Sequence, residues 1–284
     1  MTEEMQSNYE FLQSSLMKAG FSDFYNEKLK ADMAAGKSVV DLPVAEHSLG
    51  GKDSILFRPQ ISEMENRPGF YIFTGIHAGL YEQDKLVASV TAPHFKMTGM
   101  TAAHIASVLT GGVVLHTEGQ DRDGKVKQYF SGIDFTKPVK EGQDHELIRL
   151  PAKSFDLAKL ASKEKYIGRD EEKAKVLADL QSGLRTEVSL LKKEGNRYPS
   201  VYLQLAMVEN KEKGYDLALK VLDQEGTMLR VHPQNPKEVV EQKNTFKLQA
   251  SQKQEVLPKA SLQIAADANK AEKRGLGTRF WSRR

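Results

Sequence analysis

The last 15 residues of the chain combine positive charge with aromatic rings, the two features that a nucleic-acid contact needs. Six Lys and Arg residues stand there against a single acid, Glu272. Lysine and arginine neutralise phosphates, and an aromatic ring stacks on a base. The sequence therefore predicts a nucleic-acid-binding segment, made of Lys270, Lys273, Arg274, Arg279, Phe280, Trp281, Arg283 and Arg284. Two alternatives stay open: a tail that is only solvated, or Trp281 filling a pocket of a partner protein.

Histidines are the other candidate ligands, and they are scattered over the chain. No two of the seven have the four-residue spacing of a helical zinc site, and there is no cysteine to assist them. His94 and His104 flank a loop and the start of a predicted helix, so they are the pair that could share a metal. Half-buried or surface histidines explain the pattern better, and we predict no metal and no cofactor.

Two short motifs resemble ligand-binding loops without meeting their requirements. Asp121, Asp123 and Gly124 have the start of a calcium loop, but the twelfth position is Gly132 where a closing glutamate is needed. A hairpin turn is favoured there. The run 50–54 contains two glycines and a lysine, but it lacks the spacing of a phosphate loop and leads into a strand. With no Gly-x-Ser-x-Gly elbow and no cysteine, we predict no catalytic residue.

An aromatic run at 70–73 could in principle stack bases on an exposed sheet. Only one basic residue, Lys85, occurs between Phe70 and Ala92, and a nucleic-acid face needs more positive charge. The sequence therefore favours core packing for these aromatic side chains.

Composition and charge limit the class of protein. The 284 residues are 39% hydrophobic and 28% charged, and no apolar run approaches the length of a membrane span. From the acidic, polar start we expect no secretory signal, and the lack of cysteine excludes disulfides and thiolate metal sites. We expect a cytoplasmic protein with no membrane contact. The net charge of +3 is uneven, because residues 227–284 carry 12 basic against 5 acidic side chains. Residues 1–226 are correspondingly mildly acidic.

The periodicity of the first third predicts two helices followed by a sheet. Apolar residues at helical spacing begin after Ser7, which could form a capping box with Glu10, and Gly20 and Gly36 fit helix ends. Alternating residues then predict strands, joined by turns at 50–53 and 82–85. A loop is predicted at 65–69.

The rest of the body predicts further helices and hairpins. A third helix ends at Gly111-Gly112, and an acidic first turn opens another at Asp170. Hairpin turns are predicted at 193–196 and 223–226, while 217–222 is ambiguous and favours a strand. The fold class is therefore α+β, with an N-terminal helical hairpin, antiparallel sheet segments with inserted helices and a disordered basic tail. The predicted domains are 1–96, 97–232 and 233–284.

Several short motifs of the chain together have the pattern of one family. They are Asn8–Leu12, Ala19–Phe21, Met100–Ile105, Val108–Val114, Asp123–Gly124, Tyr129–Phe130, Ile133–Phe135, Leu180–Leu184, Glu187–Leu190 and Lys220–Gly226. These segments resemble an uncharacterised bacterial domain family encoded on conjugative transposons and plasmids of Gram-negative bacteria, often near topoisomerase and DNA-transfer genes. The resemblance covers roughly residues 1–230, with Gly112 in place of a basic residue and Tyr129 only approximately matching an aromatic. The family supplies a genomic context and no catalytic residues.

The resemblance implies an accessory protein of a mobile genetic element, and the tail implies its way of acting. We expect a non-enzymatic protein. Its partner is either nucleic acid, bound weakly and without sequence preference, or a protein of the DNA-transfer machinery. The alternative is a protein–protein adaptor or inhibitor whose mildly acidic body binds the partner.

Overall fold

The computed structural model describes residues 2–95, 98–137, 139–140, 142–191, 199–212, 214–234 and 263–264. Helices and antiparallel sheets occur together over these residues, which confirms the α+β class. The chain divides into two compact units. The first comprises residues 1–106, 142–144 and 257–284, and the second comprises residues 107–141 and 145–256.

Two helices open the first unit. They are α1, Glu3–Lys18, and α2, Asn26–Ala34, with a short 3-10 turn at Asp23–Tyr25 between them. The predicted capping box at Ser7 is wrong, because α1 begins at Glu3 and Ser7 lies inside it. Thr2 Oγ1 accepts a hydrogen bond from Met5 N at 3.2 Å, and two acids in the first turn favour this start. Gly20, at φ +95°, ends the helix as predicted.

An antiparallel sheet, most of it a meander, belongs to the first unit. Its strands are β1 Val39–Val40, β2 Ala45–Gly50, β3 Asp53–Met64, β4 Arg67–Glu82, β5 Lys85–Phe95, β6 Thr98–Gly99 and β15 Gln263–Ile264. They pair in the order β15-β2-β3-β4-β5-β6, with β1 added beside β3.

The predicted turns at 50–53 and 82–85 are confirmed, but the predicted loop at 65–69 is too long. The turn there covers only Glu65 and Asn66, and Arg67, Pro68 and Gly69 already belong to β4. Pro68 has no backbone N–H group to donate to a neighbouring strand. It is tolerated in β4 because the pairing register with β3 shifts between Glu63 and Met64, so that no ladder hydrogen bond is needed from this residue.

The two faces of this sheet differ in character. Ile55, Phe57 and Ile76 lie on a fully buried face, and Phe57 contacts Phe21 edge to face at 6.5 Å between ring centroids. The helices therefore cover this apolar face. The opposite face presents polar side chains of β3, β4 and β5, including His77 and Thr91, which are direct partners across β4 and β5.

The second unit contains two antiparallel sheets and its own core. The strands are β7 Val114–Gln120, β8 Val126–Gly132, β9 Ile148–Pro151, β10 Tyr166–Ile167, β11 Thr186–Leu190, β12 Ser200–Asn210, β13 Gly214–Leu222 and β14 Met228–Pro233. One sheet has the order β7-β8-β9, and the other has the order β10-β11-β12-β13-β14. The helices are α3 Ala102–Leu109, inside which the division between the units falls, α4 Leu157–Ala161 and α5 Asp170–Gln181.

The side chains of β12 and β13 alternate between two faces. Leu203, Leu205, Leu217 and Leu219 are fully buried in the core of the unit, together with Leu180 of α5. The ambiguous segment 217–222 is thus a strand, as favoured. On the other face of the same strands, Gln204 lies directly opposite Lys220.

Local turn chemistry in this unit agrees with the sequence. Asp121 Oδ1 accepts hydrogen bonds from the backbone nitrogens of Asp123 and Lys125 at 2.9 and 2.8 Å, so the motif at 121–124 is a hairpin turn. The turn at 223–226 is confirmed in the same way, through Asp223 Oδ1. The turn predicted at 193–196 lies outside the described residues.

Candidate functional site

The described residues contain three polar clusters that resemble functional sites, and each has a different geometry. The predicted nucleic-acid-binding residues are not among them. Lys270, Lys273, Arg274, Arg279, Phe280, Trp281, Arg283 and Arg284 all lie outside the described residues.

The first group, called here the hydroxyl–carboxylate cluster, lies on the polar face of the first sheet. It consists of His77 on β4, Ser89 and Thr91 on β5, and Asp144. Ser89 Oγ donates to Asp144 Oδ1 at 2.7 Å, and Thr91 Oγ1 donates to Asp144 Oδ2 at 2.6 Å. His77 Nδ1 lies 3.0 Å from Thr91 Oγ1 and 3.4 Å from Asp144 Oδ2.

These contacts determine which side chains of the cluster donate hydrogen bonds and which accept them. Because the hydroxyl proton of Thr91 is directed to Asp144, His77 must donate from Nδ1. Burial would raise the pKa of Asp144, but His77, Thr91 and Ser89 outweigh burial and hold that pKa below its usual range. Both hydroxyls donate to the carboxylate instead of to a base, so neither is arranged as a nucleophile. The cluster fastens residues 142–144 to the sheet.

The second group pairs a serine with a histidine. His116 Nε2 of β7 lies 2.8 Å from Ser131 Oγ of β8, which is the distance of a nucleophile and its base. Ser131 is 0% exposed, however, so a substrate cannot reach the oxygen. Glu118 lies 3.7 Å from the same nitrogen of His116 and is held by Arg149 at 3.0 Å. The acid therefore does not orient the ring from its other side, as a triad requires.

The histidine pair considered for a metal has structural roles instead. Thr101 Oγ1 accepts from His104 N at 3.2 Å, while Thr101 N donates to His104 Nδ1 at 3.3 Å, so His104 closes a reciprocal cap on α3. His94 stacks on Phe73 with ring centroids 4.3 Å apart. Among the described residues, no group of three or more metal-ligating side chains could hold an ion.

The aromatic run at 70–73 packs largely as the sequence predicts. Tyr71 and Phe73 are buried, and Phe70 is half-buried beneath the guanidinium of Arg67, which lies 4.3 Å from the ring centroid. Ile72, at 37% exposure, is the member that points outward. This run offers no aromatic platform for bases.

The third group, called here the cation cluster, lies on the face of the second sheet opposite to its core. It consists of Arg185, just before β11, Gln204 of β12 and Lys220 of β13. Arg185 Nε donates to Gln204 Oε1 at 3.3 Å, and Gln204 is directly opposite Lys220. Burial lowers the pKa of Lys220, and the neighbouring Arg185 lowers it further. Burial also lowers the pKa of Arg185. This is a site of concentrated positive charge.

Sequence reasoning did not find any of these groups. For the cation cluster a signal existed, because a lysine interrupts the apolar run 217–222 and a glutamine interrupts the apolar run of β12. For the hydroxyl–carboxylate cluster no local signal could have sufficed, since Asp144 lies 53 residues from Thr91 along the chain.

Comparisons with family models, with characterised proteins and with solved structures found no match to this chain. None of the described helices is both long and apolar enough to cross a bilayer.

Proposed function

We propose that the protein is a non-enzymatic accessory protein of a mobile genetic element that binds nucleic acid, or a nucleoprotein partner, through residues 270–284. Binding is weak and independent of sequence. The mobile-element context comes from the family resemblance, and the neighbouring genes test it directly: topoisomerase and DNA-transfer genes are expected beside this one.

The observation that carries the binding proposal is the concentration of charge. Residues 270–284 have a net charge of +5, while residues 1–226 have a net charge of −4. Contacts to phosphates release condensed counterions, and this supplies nearly all of the free energy of non-specific binding. Two adjacent aromatic rings, Phe280 and Trp281, add stacking, which tolerates any base.

The clusters of the body support a non-catalytic role. Ser131 is buried beside its histidine, and the hydroxyls of Ser89 and Thr91 are committed to Asp144. Each of these side chains therefore stabilises the fold in the arrangement observed, without presenting a reactive oxygen.

Deletion of the tail tests the proposal. Fluorescence anisotropy with a labelled single-stranded oligonucleotide at low salt compares the intact chain with a variant lacking 270–284. We expect most of the affinity to be lost. The matched control is deletion of 235–249, also 15 residues but with a net charge of only +1, which should bind nearly as well as the intact chain.

Two results would contradict the proposal. If the variant lacking 270–284 binds as tightly as the intact chain, the tail is not the binding element. If the intact chain does not bind at low salt, the acidic body becomes the working surface and the adaptor alternative replaces this proposal. Capture of one protein partner, unaffected by nuclease, is the result that the adaptor alternative requires.

A further inference from the structure

Among the described residues, the cation cluster has hydrogen-bond donors without matching acceptors. Arg185 uses one of its five N–H groups on Gln204 Oε1. Gln204 is 3% exposed, and its Nε2 group is buried without a partner among the described residues. Leaving a buried donor unpaired is unfavourable, so this amide group favours a ligand that can accept its hydrogen bond.

The charge of the cluster is not neutralised by an ion pair within the described part of the chain, where no carboxylate pairs with Arg185 or Lys220. Asp134 is the acid that Lys220 senses electrostatically, but its oxygens accept from Thr136 N at 3.0 Å and from the hydroxyl of Tyr215 at 3.1 Å. Two half-buried cations side by side repel each other and lose hydration, so an anion between them is strongly favoured.

We propose that Arg185, Lys220 and the amide of Gln204 form a binding site for the phosphate group of a small phosphomonoester. A phosphomonoester carries about −1.5 to −2 charges at neutral pH, which matches two cations, whereas a carboxylate carries one. Its oxygens can accept from several donors at once. One of these oxygens, or a water that it holds, is the acceptor that Gln204 lacks.

The position of the donors gives the site a rigid frame. Gln204 and Lys220 are direct partners on neighbouring strands, and Gln204 holds the guanidinium of Arg185 in place. Because two of the three donors stand on strands, the site is more rigid than one built on loops. The site lies outside residues 270–284, so it is independent of the proposed nucleic-acid segment.

Thermal unfolding of the full-length protein tests the site, with inorganic phosphate as the probe and chloride at equal ionic strength as the reference. Phosphate at a hundredfold excess over its Kd should raise the Tm by about 5–10 °C, with saturation. Lys220→Gln and Arg185→Gln should each abolish this rise. Lys211→Gln, which removes an exposed lysine from the turn between β12 and β13, should keep it.

A second measurement separates a binding site from a purely structural role. Without phosphate, Lys220→Gln removes the repulsion between two cations, so its Tm should equal or exceed that of the parent. If Lys220→Gln and Arg185→Gln both keep the phosphate-dependent rise in Tm, the proposed site is wrong. It is also wrong if Lys220→Gln has a lower Tm than the parent in the absence of phosphate.

The source of the phosphate is tested with oligonucleotides in the variant lacking 270–284. A 5′-phosphorylated single strand should stabilise the protein in a Lys220-dependent way, and the same strand without the 5′-phosphate should not. If the unphosphorylated strand gives an equal, Lys220-dependent rise in Tm, the site binds the phosphodiester backbone of nucleic acid. That result would overturn the proposal that the site binds a phosphomonoester.

Discussion

At the scale of single residues, buried polar side chains join parts of the chain that are far apart in sequence. Asn8 of α1 donates from Nδ2 to the carbonyl of Tyr71 at 2.9 Å, and its Oδ1 accepts from Tyr71 N at 2.8 Å. Asn8 is 2% exposed, so both bonds are shielded from water. The side chain of Asn8 thus bonds the backbone N–H and carbonyl of Tyr71, as a neighbouring strand would, and holds α1 against β4.

We expect Asn8→Ala to lower the free energy of unfolding of the first unit by about 2–3 kcal/mol, because it leaves a buried donor and a buried acceptor unpaired. Urea unfolding followed by circular dichroism measures the change. Ser7→Ala, an exposed neighbour on the same helix, is the control and should change stability by less than about 0.5 kcal/mol. Equal losses in the two variants would disprove the role of Asn8.

His94 gives the first unit a pH dependence. Burial lowers the pKa of His94 to about 4. The unfolded chain, whose histidine has a pKa of about 6.5, therefore binds more protons between these values. Stability is thus complete above about pH 6.5 and falls as the pH approaches 4, by up to about 3 kcal/mol.

The variant His94→Phe should remove this part of the acid dependence. Its free energy of unfolding, compared with that of the parent at pH 7 and pH 4.5, should change less with pH. Other groups with lowered pKa values, such as His104, titrate in both proteins and cancel in the comparison. If the free energy of unfolding changes equally with pH in the parent and the variant, His94 is not held neutral by burial.

At the scale of elements, two glycines allow a close approach in the second unit. A Cβ on Gly112, which follows α3, would lie 2.4 Å from the carbonyl oxygen of Gly183. A Cβ on Gly183, which follows α5, would lie 2.6 Å from Val114 Cγ1. Gly183 also has a φ of +77°. The end of α5 can therefore pack on the start of β7 only because neither of these positions carries a side chain.

Gly183→Ala should destabilise the second unit by about 3 kcal/mol or more, through the overlap with Val114 and the strained backbone together. Gly124→Ala is the matched control, since Gly124 has nearly the same φ of +76° but open space around its Cα. It should cost only about 1 kcal/mol. Thermal unfolding of both variants isolates the contribution of packing, and similar losses would show that backbone strain alone is responsible.

At the scale of the whole molecule, the separation of charge predicts how the proposed nucleic-acid binding responds to salt. If five to six phosphates are neutralised, the plot of log affinity against log salt has a slope of about −4 to −5. A fourfold rise in salt should therefore weaken binding roughly 10²–10³-fold.

Two substitutions in the tail separate its charges from its rings. Arg283→Ala should reduce the magnitude of the slope by about one, because one phosphate contact is lost. Trp281→Ala should weaken binding to a single strand by about 1–3 kcal/mol and leave the slope nearly unchanged. Anisotropy titrations at four or more salt concentrations give both quantities. A slope near zero for the intact chain would contradict phosphate contacts altogether.

Most of the secondary structure could be predicted because its signals are local. Gly20 and Gly124 adopt positive φ where the sequence places turns, and alternating residues mark the strands. The start of α1 was missed because Ser7 and Glu10 offered a plausible cap, while Thr2, further from the apolar residues, provides the actual one.

The sequence by itself determined the α+β class, the hairpin turns and the basic, aromatic composition of 270–284, since these depend on neighbouring residues. The tertiary structure alone decided the polar clusters. Asp144 reaches His77 and Thr91 because a distant segment returns to the sheet, and Arg185, Gln204 and Lys220 meet because strand register aligns three strands. Register is set by the packing of the opposite, apolar face, so the chemistry of the polar face follows only when the core is assembled.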